Sequence, residues 1–239
     1  MARQSGPPSR RTAAAAAVVV VALVAGVFLV RLTQDSSSSP ERPDGREAAD
    51  EPRPTPPAEE AGPAGEAAGV PVGFGADEPG AVAAAVAYAT ASQRWLYFTD
   101  DEIEAAVAEI ATPVAAARLA EDVVADISMA RDQLGQSRGP IWWLVRPLAW
   151  RVEDFRDSEA RVSVWTVTIL SAAGVAAPQS EFLTVTLDLS WTDGDWRVDG
   201  VRDTPGPTPI TGPQDQPWDA EPFDQALDGF TRIDGEPVS

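Results

Sequence analysis

The chain of 239 residues contains no cysteine, no histidine and no lysine, so all 18 of its basic residues are arginine. Without cysteine it can form neither a disulfide nor a thiolate metal site. Without histidine it lacks the most common zinc ligand and the usual general base. Histidine-centred catalysis is therefore excluded, and we expect no metal, no cofactor and no enzymatic activity. A domain without disulfides must be held together by its apolar core, for which the chain is long enough.

Positive charge is also scarce, because 37 acidic residues face 18 arginines and the net charge is −19. An acidic surface repels the phosphates of nucleic acids and anionic headgroups, so direct nucleic-acid binding is not expected. The predicted partners are other membrane or envelope proteins, with self-association left open. The alternative is that the acidic surface only keeps the protein soluble.

One long apolar run is present, at residues 13–30, between Arg10-Arg11 and Arg31. A backbone in lipid must satisfy its own hydrogen bonds, and about twenty helical residues cross the hydrocarbon core, so we expect a transmembrane helix over residues 13–32. The head, residues 1–12, has arginines and no acid, which predicts that it stays cytoplasmic and that the rest of the chain lies outside the cell membrane. The residues expected to contact lipid include Ala13, Val20, Leu23, Phe28 and Val30.

Two other interpretations of this run compete with the anchor. A cleaved signal peptide has a similar layout, but its apolar core usually spans about 7–15 residues and ends at a small-x-small site, which is missing here. A twin-arginine signal at Arg10-Arg11 would need a different sequence directly after the pair than Thr12-Ala13. An uncleaved single-pass anchor is the interpretation that the sequence favours.

Composition divides the remainder into three parts. Residues 33–69 are rich in Ser, Pro, Glu, Ala and Gly without an aromatic side chain, which predicts a disordered linker. Residues 70–203 are expected to form one exported domain. Residues 204–239 are Pro-rich and end in a short amphipathic helix with Phe223, Leu227 and Phe230. We expect this last part to lie over the domain as a strap, with a recognition strand for a partner as the alternative.

Three helices are predicted in the first half of the exported domain. Asp77-Glu78-Pro79 supplies a cap and a proline for the first helix, and Thr99 with Glu102 has the capping-box spacing for the second. Thr112-Pro113 begins the third. Its apolar stripe comprises Leu119, Val123, Ile127, Ala130 and Leu134.

From Ile141 onward the apolar period changes to two, which is typical of strands. Leu183, Val185, Leu187 and Leu189 alternate with polar residues, and Asp193-Gly194 between two tryptophans is a strong hairpin signal. The sequence therefore predicts an α+β fold in which three helices pack on a curved four-stranded antiparallel sheet, as in a cystatin-like cone.

Few residues are candidates for chemistry. An enzymatic site inside such a domain would need a tyrosine or an acid in a pocket, and the candidates are Tyr88, Tyr97, Asp154 and Asp188. Two acidic groups could bind Ca²⁺, but one (residues 100–102) is a helix start, where acids complement the dipole, and the other (residues 193–199) is a hairpin turn. Surface roles are the simpler interpretation of all of them.

Protein contacts are predicted at the first strand. Trp142 and Trp143 are adjacent and must face opposite sides of a strand, so one of them lies outside the core or at its rim. Arg146 and Arg151 follow on the same strand. Because Trp and Arg are enriched at binding hot spots, these four residues are the candidate protein contact. Coverage by a helix or by the strap is the alternative.

The order of elements and the segment Thr192-Asp193-Gly194-Asp195-Trp196-Arg197-Val198-Asp199 resemble the domains named for nuclear transport factor two. Within that group the chain resembles conjugative-transfer proteins of the TcpC type from Gram-positive and actinobacterial elements. The resemblance implies a membrane-anchored scaffold protein of a conjugation or secretion apparatus. Two alternatives stay open: an accessory protein of a lipid importer, and a small-ligand-binding or enzymatic domain.

Overall fold

The computed structural model describes residues 62–209, 226–233 and 235. Their elements form two antiparallel sheets with helices against the inner face of the larger one. In chain order these elements are β1 (Gly65–Ala67), β2 (Val70–Val72), α1 (Glu78–Thr90), α2 (Ser92–Trp95), α3 (Asp100–Ile110), α4 (Ala116–Leu134), β3 (Ile141–Arg156), β4 (Glu159–Ala172), β5 (Ala176–Thr192), β6 (Asp195–Pro205) and β7 (Thr231–Arg232).

The helix starts follow the local signals in the sequence. Asp77 caps α1 by accepting a hydrogen bond from the backbone N–H of Gly80 at 2.8 Å. Thr99 and Glu102 form the predicted capping box of α3. The predicted apolar stripe of α4 is buried along its whole length, so this helix turns one continuous face to the core.

The larger sheet has the strand order β6-β5-β4-β3-β7. The β5–β6 hairpin turns at Asp193 and Gly194, whose φ angles of 54° and 81° suit the predicted two-residue turn. A register shift lies between Pro147 and Ala149, where proline cannot donate to the ladder. The inner face of the sheet carries alternate residues of β4 and β5, including Val162, Val164, Leu187 and Leu189, in the main core.

The predicted fold of three helices on four strands is wrong in the number of strands and in which strand forms one edge of the sheet. The larger sheet has a fifth strand, β7, and β1 and β2 form a separate hairpin. Residues 65–67 of β1 belong to the stretch predicted as linker, and two- and three-residue strands are too short to show an alternating pattern. A fourth helix, α2, is a single turn without a capping side chain. The short elements are positioned by tertiary contacts rather than by local pattern.

The predicted transmembrane helix and most of the predicted linker lie outside the described residues. Among residues 62–209, 226–233 and 235, no helix is both long enough and apolar enough to cross a bilayer.

The segment after residue 225 contacts the outer face of the sheet. Leu227 and Phe230 are buried in a small second core with Ala149 and Trp165. Arg151 lies over the Phe230 ring at 4.6 Å and donates to the carbonyl of Asp228 at 3.1 Å. The outer face of β3 and β4 is therefore covered at this point, while the inner face packs against the helices.

Candidate functional site

A cavity of about 170 Å³ lies between the helices and the inner face of the larger sheet. Most of its lining is apolar and comes from every layer of the domain, for example Val107, Leu119, Ile127, Leu170, Leu187 and Val198. The half-buried side chains Val185 and Val201 also line it, on the two strands β5 and β6. Because an apolar cavity of about 150 Å³ is large enough for benzene, this slightly larger cavity suits a compact ring molecule.

Two tryptophans in the cavity wall have unpaired indole nitrogens. Trp95 of α2 is 8% exposed and Trp143 of β3 is 6% exposed, and both line the cavity. The Nε1 atom of each is buried and has no hydrogen-bond partner among the described residues. A buried indole N–H usually finds a partner, and leaving it unpaired costs about 1–3 kcal/mol. Each of these unpaired donors belongs to a residue of the cavity wall.

Three half-buried acidic side chains line the same cavity: Asp126 of α4, Glu181 of β5 and Asp203 of β6. Burial raises the pKa of Asp126 to about 6, with a further contribution from the charge of Asp122. Burial likewise raises the pKa of Asp203 to about 6. The pKa of Glu181 is raised by burial and by the charge of Asp203. The Asp203 Oδ1 atom is buried and has no hydrogen-bond partner among the described residues.

The register of the sheet explains how Glu181 and Asp203 reach the interior. Glu181 is in phase with Leu183, Val185 and Leu187, which point inward, and it lies beside Thr168 of β4. Asp203 pairs with Val185 and follows Val201 on the inner face of β6. The alternation of the strands therefore places both acids at inward-facing positions, which apolar residues usually occupy. This phase was visible in the sequence but was not used to predict either residue, and Asp126, next to Ile127 on α4, was missed as well.

The sequence-predicted candidates for chemistry are distributed differently. Tyr88 lines the cavity, but its hydroxyl donates to the carbonyl of Trp196 at 2.9 Å. Burial and the charge of Asp195 raise the Tyr88 pKa further above its ordinary value. Tyr97 is on the surface and donates to the Ile141 carbonyl. Asp154 pairs with Arg156 on the surface. Asp188 lies on the outer face and pairs with Arg161 and Arg202.

The two acidic groups considered for Ca²⁺ have structural partners. Asp100 pairs with Arg131, and Glu102 completes the capping box. Asp195 is buried and accepts hydrogen bonds from the backbone N–H groups of Gly73, Phe74 and Trp196, at 2.7, 3.0 and 2.9 Å. Within the part of the chain that the structure describes, no group of three or more metal-binding side chains occurs.

The four residues predicted as a protein contact are not on one surface. Trp142 is 59% exposed on the outer face of β3, whereas Trp143 is buried in the cavity wall. Arg146 donates to the side chain of Gln93 at 2.8 Å. Arg151 is held by the segment after residue 225 and by Glu153. Of the four, Trp142 and Arg146 are exposed.

The fold and the site together define a helix-on-sheet domain with an apolar cavity that carries acidic groups. Residues 32–215 match the family described as "Domain of unknown function (DUF8175)", and the chain belongs to that family. No curated protein and no solved structure matches the chain.

Proposed function

We propose that the domain binds a small, mostly apolar molecule in the cavity between its helices and its larger sheet. The observation that carries this proposal is the apolar cavity itself, whose lining includes the half-buried acids Asp126, Glu181 and Asp203. Apolar cavities with a few convergent polar groups are the usual form of small-molecule sites. The cavity volume suits a compact molecule better than the acyl chains of a lipid.

The test is a binding screen on the full-length chain in phosphatidylcholine nanodiscs, with empty nanodiscs as background. Ligand-observed NMR measures binding of a library of compact ring molecules, some neutral, some cationic and some anionic. Val201→Phe places a larger side chain in the cavity wall, and Val167→Phe makes the same change on β4 outside the cavity lining. We expect hits that bind wild type and Val167→Phe but not Val201→Phe. A screen without such hits overturns the proposal.

A second candidate function is assembly with other envelope proteins. The specific observation is that the apolar side chains of Tyr97, Trp142 and Ile169 are 67%, 59% and 38% exposed. Tyr97 reaches the start of β3 through its bond to Ile141, next to Trp142. Exposed aromatic side chains of this kind are frequent at protein contacts. A role in a conjugation or secretion apparatus is supported by the resemblance of residues 192–199.

Site-specific photocrosslinking in cells tests this second function. A benzoylphenylalanine replaces Trp142 and, as a control, the exposed Ala177. We expect a discrete crosslinked product from position 142 that is lost when Ile169→Ser is added, and none from position 177. The same products from both positions would contradict a specific contact.

The proposed location is the outer side of the cell membrane, with the apolar residues 13–30 as the anchor. Protease added to intact cells without their wall should then digest the domain and leave cytosolic markers intact. If the domain survives as well as those markers, the proposed orientation is wrong.

A further inference from the structure

Different sides of the cavity are lined by different kinds of polar residue. The indole donors of Trp95 and Trp143 come from α2 and β3, whereas Glu181 and Asp203 come from β5 and β6. In the sheet β4 lies between β3 and β5, so the backbones of β3 and β6 are three strand spacings, roughly 14 Å, apart. The residues with unpaired indole donors therefore lie on one side of the cavity, and the acidic pair of β5 and β6 lies on the other.

The charge of the cavity lining has one sign. Among the described residues that line the cavity there are three acids and no arginine. A carboxylate or phosphate ligand would meet like charge without a basic partner, which is unfavourable where water is scarce. A cation gains instead, because an ammonium next to a partly buried carboxylate forms a charge-assisted hydrogen bond.

We propose that the ligand is a compact amine, with its ammonium group at Glu181 and Asp203, its ring system in the apolar cavity, and a hydrogen-bond acceptor at Trp95 and Trp143. This inference rests on the proposed function, because it specifies the chemistry of the molecule that the same cavity binds. The Oδ1 atom of Asp203 and the two indole nitrogens have no hydrogen-bond partner among the described residues, and each belongs to a residue that lines the cavity.

The electrostatics of the acidic pair agree with this assignment. Glu181 and Asp203 are near enough that the charge of Asp203 raises the pKa of Glu181. Two neighbouring carboxylates with no basic partner in the lining repel each other, and a bound ammonium relieves that repulsion. The Asp203 carboxylate is ionised and available to a cation at pH 8, above its pKa of about 6.

Four probes on the wild-type full-length chain in nanodiscs at pH 8 test the inference. They are 4-methoxyphenethylamine, its alcohol analogue, the anion 3-(4-methoxyphenyl)propanoate, and phenethylamine, which lacks the methoxy acceptor. Calorimetric titration gives each Kd after subtraction of the empty-nanodisc signal. We expect the methoxy amine to bind at least about tenfold more tightly than the alcohol, which is the worth of a charged hydrogen bond. The anion should bind most weakly of the four.

Three variants show which residues produce the preference for the amine. Asp203→Asn keeps the shape of the side chain and should reduce the amine-to-alcohol ratio several-fold, because only Glu181 then remains at the ammonium site. Asp188→Asn, on the outer face of β5, should leave the ratio unchanged. Trp143→Phe should reduce the preference for the methoxy amine over phenethylamine, and thermal unfolding checks that each variant is folded.

The outcomes separate this inference from the proposed function. If the alcohol or the anion binds as tightly as the amine, and Val201→Phe abolishes binding, the cavity binds ligands but the amine assignment is wrong. If the amine ratio is unchanged in Asp203→Asn, the assignment of the ammonium site is wrong. If none of the four probes binds, the amine inference is overturned, and the library screen alone decides the proposed function.

Discussion

The two ends of the core use the same residue types in different ways. At one end, here called the filled end, Trp196 is fully buried and its polar groups are paired. Its indole donates to the Gly75 carbonyl at 2.8 Å, and its own carbonyl accepts from the Tyr88 hydroxyl. Asp195, beside it, accepts three backbone hydrogen bonds. At the cavity end, the indoles of Trp143 and Trp95 and the Oδ1 atom of Asp203 have no partner among the described residues.

This difference separates paired from unpaired polar groups within one strand, since β6 runs from Asp195 to the cavity acid Asp203. A buried polar group that is fully paired rigidifies the fold, and one that is unpaired lowers stability. Natural proteins retain the second kind where a ligand completes it. The comparison predicts that substitutions at the filled end are damaging, and that equivalent substitutions at the cavity end are mild or stabilising.

The largest effect is expected from Gly80→Ala at the filled end. A Cβ atom at Gly80 would lie 2.0 Å from the carbonyl oxygen of Gly75, which also binds Trp196. Because the clash is with backbone, relief requires movement of the whole segment, and we expect a loss of at least about 3 kcal/mol or failure to fold. Chemical denaturation measures the loss. Gly65→Ala, with open space around it, is the matched control and should change stability by less than about 0.5 kcal/mol.

Tryptophan-to-phenylalanine substitution at each end is the next test. Trp196→Phe removes the donor to the Gly75 carbonyl and leaves a void beside Trp191 and Phe155, so we expect a loss of about 2–3 kcal/mol. Trp143→Phe breaks no hydrogen bond among the described residues and should lose about 1 kcal/mol or less. Equal losses in urea denaturation would remove the distinction between the two ends.

The same Asp-to-Asn change on β6 should have opposite signs at its two ends. In wild type the Asp195 carboxylate accepts a hydrogen bond from the backbone N–H of Gly73. Asp195→Asn places an NH₂ group against that N–H, so we expect the free energy of unfolding to fall by about 1–2 kcal/mol at pH 7.5. Asp203→Asn removes a half-buried charge without a basic partner in the lining, so the melting temperature should stay unchanged or rise. Scanning calorimetry of both variants decides. Destabilisation by Asp203→Asn would show that this acid is structural.

The sequence predicted those parts of the fold that capping residues, turn residues and long periodic apolar stripes determine. The caps at Asp77 and Thr99, the stripe of α4 and the hairpin at Asp193-Gly194 follow from residues within one or two turns of each other. The hairpin β1–β2 and strand β7 could not be predicted this way. They depend on contacts with residues far away in sequence, such as Asp195 with Gly73 and Arg232 with Ala149.

The candidate site was harder to predict, because its residues lie inside patterns that indicate core. Glu181 continues the inward stripe of β5, yet an acid at the start of a strand is usually interpreted as the exposed strand end. Trp143 was separated from Trp142 by alternation, but alternation does not say that its indole nitrogen stays unpaired. That property depends on where α4 and α2 lie relative to the sheet, which no local pattern determines.

The smallest expected effect is the pH dependence of stability that the cavity acids impose. The pKa values of Asp126 and Asp203 are raised to about 6 in the fold, above the ordinary value of 3.8 for an aspartate. A raised pKa means that the folded state binds protons more tightly, so the stabilisation is fully present below pH 4 and is lost as pH rises through 6. Glu102 and Glu153 act oppositely, because their lowered pKa values make the fold lose stability as pH falls below about 4.5.

We therefore expect the melting temperature to rise as pH falls from 7.5 to about 5, and then to decline at lower pH. In a chain of net charge −19, protonation of surface acids also reduces charge repulsion and raises stability over this pH range. The wild-type curve alone therefore does not identify the contribution of the cavity acids. The control is Asp132→Asn/Asp199→Asn, which removes two exposed acids of α4 and β6. Between pH 7.5 and 5, the melting temperature of the double variant Asp126→Asn/Asp203→Asn should rise visibly less than that of the control. Identical slopes in the two variants would mean that the cavity acids titrate as surface groups, and the cavity end would then resemble ordinary protein surface.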